Sequence, residues 1–165
     1  MKIVIENPKD LEKETKKRLQ RLKREFKEPE IKLFPNTENY DQIIAQVDIP
    51  FMALCEHHLI AFEGKAYVGY IPNKWIIGLA DITEIITYFL NPTVKTIQEK
   101  ATHQIINYFK KAVKPKGVMV VLKAKHGCVW YHKTKKPSWT ITSAIYGTFR
   151  KDPSVKQEFL NIIKL

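Results

Sequence analysis

Cys55 lies two residues before His57 and three before His58, and Cys128 lies two residues after His126. The chain holds only two cysteines and five histidines, so both thiols and three of the imidazoles fall in two short segments, LCEHHL and KHGCVW. Thiolate and imidazole are the ligands zinc takes tetrahedrally, and three protein ligands leave a fourth position for water. Cys55, His58 and Cys128 make such a set, two from one turn and the third from a distant strand. Bound zinc brings the pKa of its water to about 7, which yields hydroxide at neutral pH. His57 and His126 flank the ligands. If KHGCVW is a strand, positions 126 and 128 share a face, and an imidazole able to move protons stands beside the metal. Spacing alone leaves two alternatives open: a closed structural zinc site with His57 or His126 as fourth ligand, and free cysteines beside core histidines.

The elements that must position these residues are legible as periodicities. Asn7-Pro8 opens a helix in which Leu11, Thr15, Leu19, Leu22 and Phe26 form a narrow stripe, ending before Pro29. That stripe is expected to lie across a sheet or a neighbouring subunit; an RNA-binding arm is the alternative. EIKLF, DQIIAQVDI and GKAYVGYIP read as strands. GLADITEIITYFL carries Ile82, Ile85, Ile86 and Phe89 at helical spacing, and TIQEKATHQIINYFKKAV carries Ile97, Ala101, Ile105, Tyr108 and Ala112. GVMVVLKAKHGCVWYH alternates as a strand, with SWTITSAIYGTFR as its hairpin partner. Asp152-Pro153 opens a last helix with Val155, Phe159, Ile162 and Ile163 inward. The order predicts an α+β domain, an antiparallel sheet with helices on one face, whose open edges are naturally closed by neighbouring subunits.

The chain is 165 residues long with a net charge of +11, 44% apolar and 27% charged residues, the composition of one soluble domain with a sizeable core. No apolar run is long enough to cross a membrane, and the first residues are too weakly apolar for a signal peptide. A cytoplasmic location follows as the expectation, and there metal binding outranks a disulfide. The positive charge favours anionic partners such as nucleotides. Lysine far outnumbers arginine, and no basic motif interleaved with aromatics is present, so nucleic acid is not the expected partner.

CEHHLIAFEGKAYVGYIPNKWIIGLADI, IQEKATHQI, KGVMVVLKAKHGCV, TITSAIYGTFRKDP and EFLNII together resemble the GTP cyclohydrolase I family, in order and spacing, from residue 31 to the C-terminus. Residues 1–30 then form a charged N-terminal helix ahead of a GTP cyclohydrolase I-like domain, 31–165. The resemblance implies a tunnelling fold, two helices on one face of the sheet, assembled into a ring barrel, a pentamer or a decamer of paired pentamers. It implies zinc at Cys55, His58 and Cys128, acid/base roles for His126 and His57, and guanine recognition by Gln98 and Glu99. A carboxylate can accept from both N1–H and the 2-amino group of guanine. The implied reaction opens the imidazole ring of GTP by water attack at C8, releases formate and rearranges the ribose to give dihydroneopterin triphosphate.

The chain departs from that family where the triphosphate is held. Val47, Asp81, Glu84 and His132 stand where the resemblance leads one to expect basic residues. Carboxylates in place of cations beside about four phosphate charges are strongly unfavourable. Either other lysines have moved in, Lys123 and Lys125 or Lys133, Lys135 and Lys136, or the substrate is a guanine, deazaguanine or pterin compound without a triphosphate, with Trp130 a candidate stacking platform. A non-catalytic zinc-containing binding protein is the third reading.

Overall fold

The computed structural model describes residues 8–129, 131 and 138–164. Asn7, Trp130, His132, Lys133, Lys135 and Lys136, singled out above, lie outside the described residues. Helix α1 (Pro8–Glu25) is supported by Glu-to-Lys and Glu-to-Arg pairs one turn apart, Glu12 to Lys16 at 2.6 Å and Glu14 to Arg18 at 3.5 Å. Its stripe does not lie on the sheet: Leu11 and Leu19 remain 54% and 45% exposed.

Strands β2 (Ile44–Cys55), β3 (Ala61–Ile71), β6 (Gly117–His126) and β7 (Trp139–Gly147) pair antiparallel in that spatial order, and the short β5 (Lys95–Thr96) joins β2 in parallel. The EIKLF segment is not part of this sheet. Only Leu33–Pro35 is extended there (β1), and it pairs with Trp75–Ile77 (β4) in a separate ribbon. Asn36 ties that ribbon together, donating Nδ2 to Asn73 O and its backbone N–H to Lys74 O. Strand β2 runs six residues beyond the predicted end at Ile49. Pro50 is tolerated because β5 covers only Leu54 and Cys55, so β2 is an edge at Pro50. A register shift between Gln46 and Ile49 accompanies a left-handed Asp48 at φ 57°, the geometry of a bulge.

Helices α2 (Leu79–Phe89) and α3 (Gln98–Ala112) cover one face, as expected. Ile82, Ile85, Ile86, Ala101, Ile105 and Phe109 pack on Phe62, Val68, Tyr70, Val120 and Leu122. Burying each such side chain contributes about 1.5–3 kcal/mol. The C-terminal α5 (Thr148–Lys151) and α6 (Pro153–Ile163) cover one end of the opposite face, where Phe149, Phe159 and Ile163 meet Tyr67, Met119 and Val121. Ile162 is not inward but 46% exposed. A Cβ on Gly69 would stand 2.5 Å from the Phe159 ring, so this crossing needs glycine. Strand β6 ends at His126, and Gly127–Val129 form a helical turn, α4, so the strand argument that put residues 126 and 128 on one face does not apply.

Candidate functional site

One end of the sheet gathers every residue the spacing singled out. Strand β2 delivers Cys55 into the core at 3% exposure, then reverses in a tight turn. Leu59 N–H donates to Cys55 O at 2.8 Å, and Cys55 N–H donates to Ile60 O at 3.0 Å. Leu59 adopts φ 55°, costly for a branched apolar residue. His57 and His58 sit exposed on this turn with their rings edge-on, centroids 6.3 Å apart. The imidazole facing the Cys55 thiol is that of His57, with Nδ1 3.7 Å from Sγ. The N-terminus of α3 is tied to the same turn through Glu56 N–H to Thr96 O at 3.1 Å and an ion pair from Lys100 to Glu56 at 2.9 Å. Gln98 and Glu99 therefore begin α3 beside the histidine turn.

His126 arrives from the other side of β3. The β3–β6 register sets it opposite Phe62, and the two rings stack at 4.7 Å, 3° from parallel. Its Nε2 is 2.8 Å from Gln98 Oε1. Gln98 is 1% exposed, and its Nε2 donates to Leu122 O at 3.0 Å and to Thr140 O at 3.1 Å. Carbonyls can only accept, so they fix which end of the amide faces His126: an acceptor oxygen. The histidine must then donate from Nε2, and its neutral form keeps a lone pair on Nδ1. Burial pushes His126 below the ordinary imidazole value of 6.5; the charge of Glu99 opposes this shift and His57 adds to it. Thr102 completes the support, donating to Gln98 O at 2.7 Å and meeting Thr142 Oγ1 at 2.7 Å. Of the Gln98–Glu99 pair, Gln98 is engaged inside and Glu99 is exposed.

Gly127 brings the Cys128 turn against the hairpin, since a Cβ there would collide with Ile60 Cγ2. Cys55 and Cys128 are both free thiols, buried and half-buried. Among the described residues, no three His, Cys, Asp or Glu side chains stand gathered as a metal-binding group. The donor types suit zinc: two free thiols, one buried and one half-buried, and the exposed imidazoles of His57 and His58 lie on segments at the same end of the sheet.

The positions expected to hold phosphate lie differently. Asp81 is 8% exposed, and its Oδ2 accepts from Lys32 N–H at 2.8 Å, anchoring the chain before β1 to the first turn of α2. Glu84 is exposed beside a cavity of about 430 Å³ that Glu28, Glu30 and Asp81 also line. Val47 is 42% exposed at the β2 bulge. Lys123 and Lys125 lie over the Trp139 ring at 5.3 and 4.5 Å. They alternate with residues 122, 124 and 126, and so point away from the α3-covered face that His126 serves. Phe62, Thr102, Gly127 and the Lys100–Glu56 tie escaped sequence reasoning, because each acts through a register or a crossing that no local pattern encodes.

Comparison with known proteins identifies the family of the chain. The family model described as GTP cyclohydrolase I matches residues 2–164, which takes in the N-terminal helix as well as the region that carries the motifs. The protein named GTP cyclohydrolase 1 from Aquifex aeolicus is 39% identical over 157 residues, 92% of this chain and 84% of its own length. Its namesake from Sulfurihydrogenibium sp. is 38% identical over 156 residues, 92% and 82% of the two chains. The human protein of that name is 38% identical over 128 residues, covering 77% of this chain and half of its own. A solved structure described as apo archaeosine synthase QueF-Like covers 62% of this chain and 93% of its own at 13% identity and a TM-score of 0.48. With relatives 38–39% identical aligned over 92% of its length and a family match running from residue 2 to residue 164, the chain belongs to the GTP cyclohydrolase I family.

Proposed function

We propose that this protein is a zinc-dependent hydrolase that opens the imidazole ring of a purine nucleotide, taking GTP and water to dihydroneopterin triphosphate and formate. The observation that carries this reading is the clamp on His126. A stacked Phe62 and a buried Gln98 hold the ring with Nε2 as donor and a lone pair on Nδ1. Cys55, His58 and Cys128 would hold the zinc, which when bound supplies an acidified water of pKa about 7. Glu99 is exposed at the start of α3 and suits the N1–H and 2-amino donors of guanine. Gln98 serves the same site from behind by fixing His126, and His57 is the second group able to carry a proton at the histidine turn. Formate release from GTP tests the reaction: wild-type protein should produce it, and His126→Ala with zinc still bound should not. If His126→Ala leaves turnover untouched, the catalytic reading is wrong. Elemental analysis tests the metal: one zinc per chain in the wild type, lost in Cys128→Ala.

A second reading, a guanine, deazaguanine or pterin substrate without a triphosphate, is favoured by Asp81, whose carboxylate is built into the fold rather than exchanged for a nearby cation. A binding panel of GTP, GMP, guanosine, 7-deazaguanines and pterins separates the two. A protein that binds zinc yet turns over none of them would be the non-catalytic alternative. The protein is read as a homo-oligomeric ring, a pentamer or paired pentamers, with the exposed α1 stripe of Leu11 and Leu19 available to a neighbouring subunit; a monomer by light scattering at micromolar concentration would contradict this. The domain division is read as a charged N-terminal helix over residues 1–30 ahead of a GTP cyclohydrolase I-like domain, 31–165. Among the described residues no helix is long and apolar enough to cross a membrane.

A further inference from the structure

Helix α3 does not fix its own first turn. Its N-cap is Ile97, which makes no side-chain capping bond among the described residues, so the usual local device for holding a helix start is missing. Gln98, the next residue, is nevertheless the one that orients His126. The hold on Gln98 comes from β7, and it comes at two points. The Thr140 carbonyl accepts from Gln98 Nε2 at 3.1 Å. Two residues on, Thr142 Oγ1 lies 2.7 Å from Thr102 Oγ1, and Thr102 Oγ1 lies 2.7 Å from Gln98 O. Thr142 shares its face of the strand with Ala144, which packs in the core beneath α3. A neighbouring subunit that pairs with the free edge of β7 does so through backbone groups in the plane of the sheet. The Thr142 side chain stands on the α3 face, so closure of that edge leaves the contact in place.

The donors in this chain of oxygens can be assigned. Two oxygens 2.7 Å apart need a proton between them, and a hydroxyl owns one proton and two lone pairs. Gln98 O can only accept, so the Thr102 proton lies there. The proton between the two threonines is therefore that of Thr142. The chain runs one way, from Thr142 Oγ1–H to Thr102 Oγ1 and from Thr102 Oγ1–H to Gln98 O. Thr102 is 1% exposed, so solvent does not stand ready to replace the donor.

We infer that Thr142 is a positioning residue for His126, acting through Thr102 and the main chain of Gln98. It rests on the acid/base role proposed for His126. Thr142 holds the backbone of Gln98 while Thr140 O steadies its amide, so one strand fixes both ends of one residue. Only with both ends fixed does that amide reach Leu122 O, Thr140 O and His126 Nε2 together. Without the Thr142 proton the first turn of α3 is free to drift, and a misplacement of about 1 Å in a reacting group can cost about 10²-fold in rate.

The test compares Thr142→Val with Thr142→Ser in the full-length, zinc-loaded protein. Valine keeps the volume and removes the proton; serine keeps the hydroxyl and removes a methyl. Positioning by the hydroxyl predicts that kcat for formate release, per bound zinc, falls about tenfold in Thr142→Val while KM stays within about threefold. Thr142→Ser should keep most of the wild-type kcat. A packing role predicts the opposite order, and that order overturns the inference, as does wild-type kcat in Thr142→Val. Thr102→Val removes both links, so Thr102→Val/Thr142→Val should be no slower than Thr102→Val alone; additive losses would mean that the two threonines act separately. Nitrogen-15 shifts of His126 give a readout without turnover: the Nε2–H form in the wild type and in Thr142→Ser, a mixture in Thr142→Val. An unchanged tautomer in Thr142→Val overturns the inference even where turnover falls. A mixture there supports it even if the wild type releases no formate from GTP, and in that case it is the proposed reaction that fails.

Discussion

Replacing Gln98 by leucine removes three hydrogen bonds at nearly constant volume. Leu122 O and Thr140 O each lose a donor, and His126 Nε2–H loses its acceptor, in a site where Gln98 is 1% exposed. At about 0.5–1.5 kcal/mol for each bond, the total is about 1.5–4.5 kcal/mol of stability. Both carbonyls also lie on strands of the β6–β7 ladder, and a carbonyl's second lone pair softens the loss, so the lower half of that range is expected. The catalytic effect should be larger than the structural one, because His126 loses the contact that selects its tautomer. Positioned acid/base groups are worth about 10²–10⁴-fold, so kcat for formate release should fall about 10²-fold or more while KM changes by less than about threefold. Denaturant melts supply the first number and steady-state kinetics the second. Nitrogen-15 shifts of His126 supply a readout that needs no turnover: the Nε2–H form in the wild type, a mixture in Gln98→Leu. Gln98→Glu should destabilise at least as much, since it sets a carboxylate oxygen against Leu122 O and Thr140 O. The reasoning is refuted if Gln98→Leu keeps wild-type stability and kcat, or if KM alone rises, because Gln98 would then read the substrate rather than hold the histidine.

Other substitutions probe the frame around the site. Asp81→Lys should cost about 2–4 kcal/mol by stripping Lys32 N–H of its acceptor and burying an ammonium, whereas Glu84→Arg, on an exposed residue, should be tolerated; if GTP is the substrate, Glu84→Arg should lower its KM. Gly69→Ala should destabilise by about 1–3 kcal/mol in denaturant melts, because the new methyl meets the Phe159 ring; a neutral result would mean that α6 shifts freely. Asp152 accepts from Ser154 N–H and Oγ–H at the start of α6, and those bonds hold its carboxyl below the ordinary 3.8. A depressed folded value makes the stabilisation fully present above the unfolded pKa and removes it as pH falls through the folded one. Asp152→Ala should therefore melt earlier than wild type at neutral pH, with the gap narrowing below about pH 4; a gap constant down to pH 2 would contradict the assignment.

Much of this protein was legible before any fold was known. Cys55, His57, His58, His126 and Cys128 marked a candidate site because their types and spacings are rare by chance, and side-chain chemistry is a local property. The α2 and α3 stripes, Ile82 with Ile85 and Ile86, Ala101 with Ile105, were readable because helical periodicity depends only on neighbouring residues. Asp152-Pro153 marked the start of α6 for the same reason. Tertiary structure decided what distant segments do to one another. EIKLF looks like any sheet strand, and only the presence of Trp75–Ile77 across from it made it a separate ribbon. Strand periodicity carried through KHGCVW on paper, but packing of Gly127 against Ile60 goes with a helical turn at 127–129. Gln98 entered the sequence reading only through the resemblance, as a guanine-recognising residue; the β3–β6–β7 register put two carbonyls and His126 around it. Asp81 read as a lost cation until Lys32, 49 residues away in sequence, donated its backbone N–H to it. Periodicity and residue chemistry are written along the chain, whereas the hydrogen-bond partner of a buried group is set by register and crossing, which exist only once the sheet has formed.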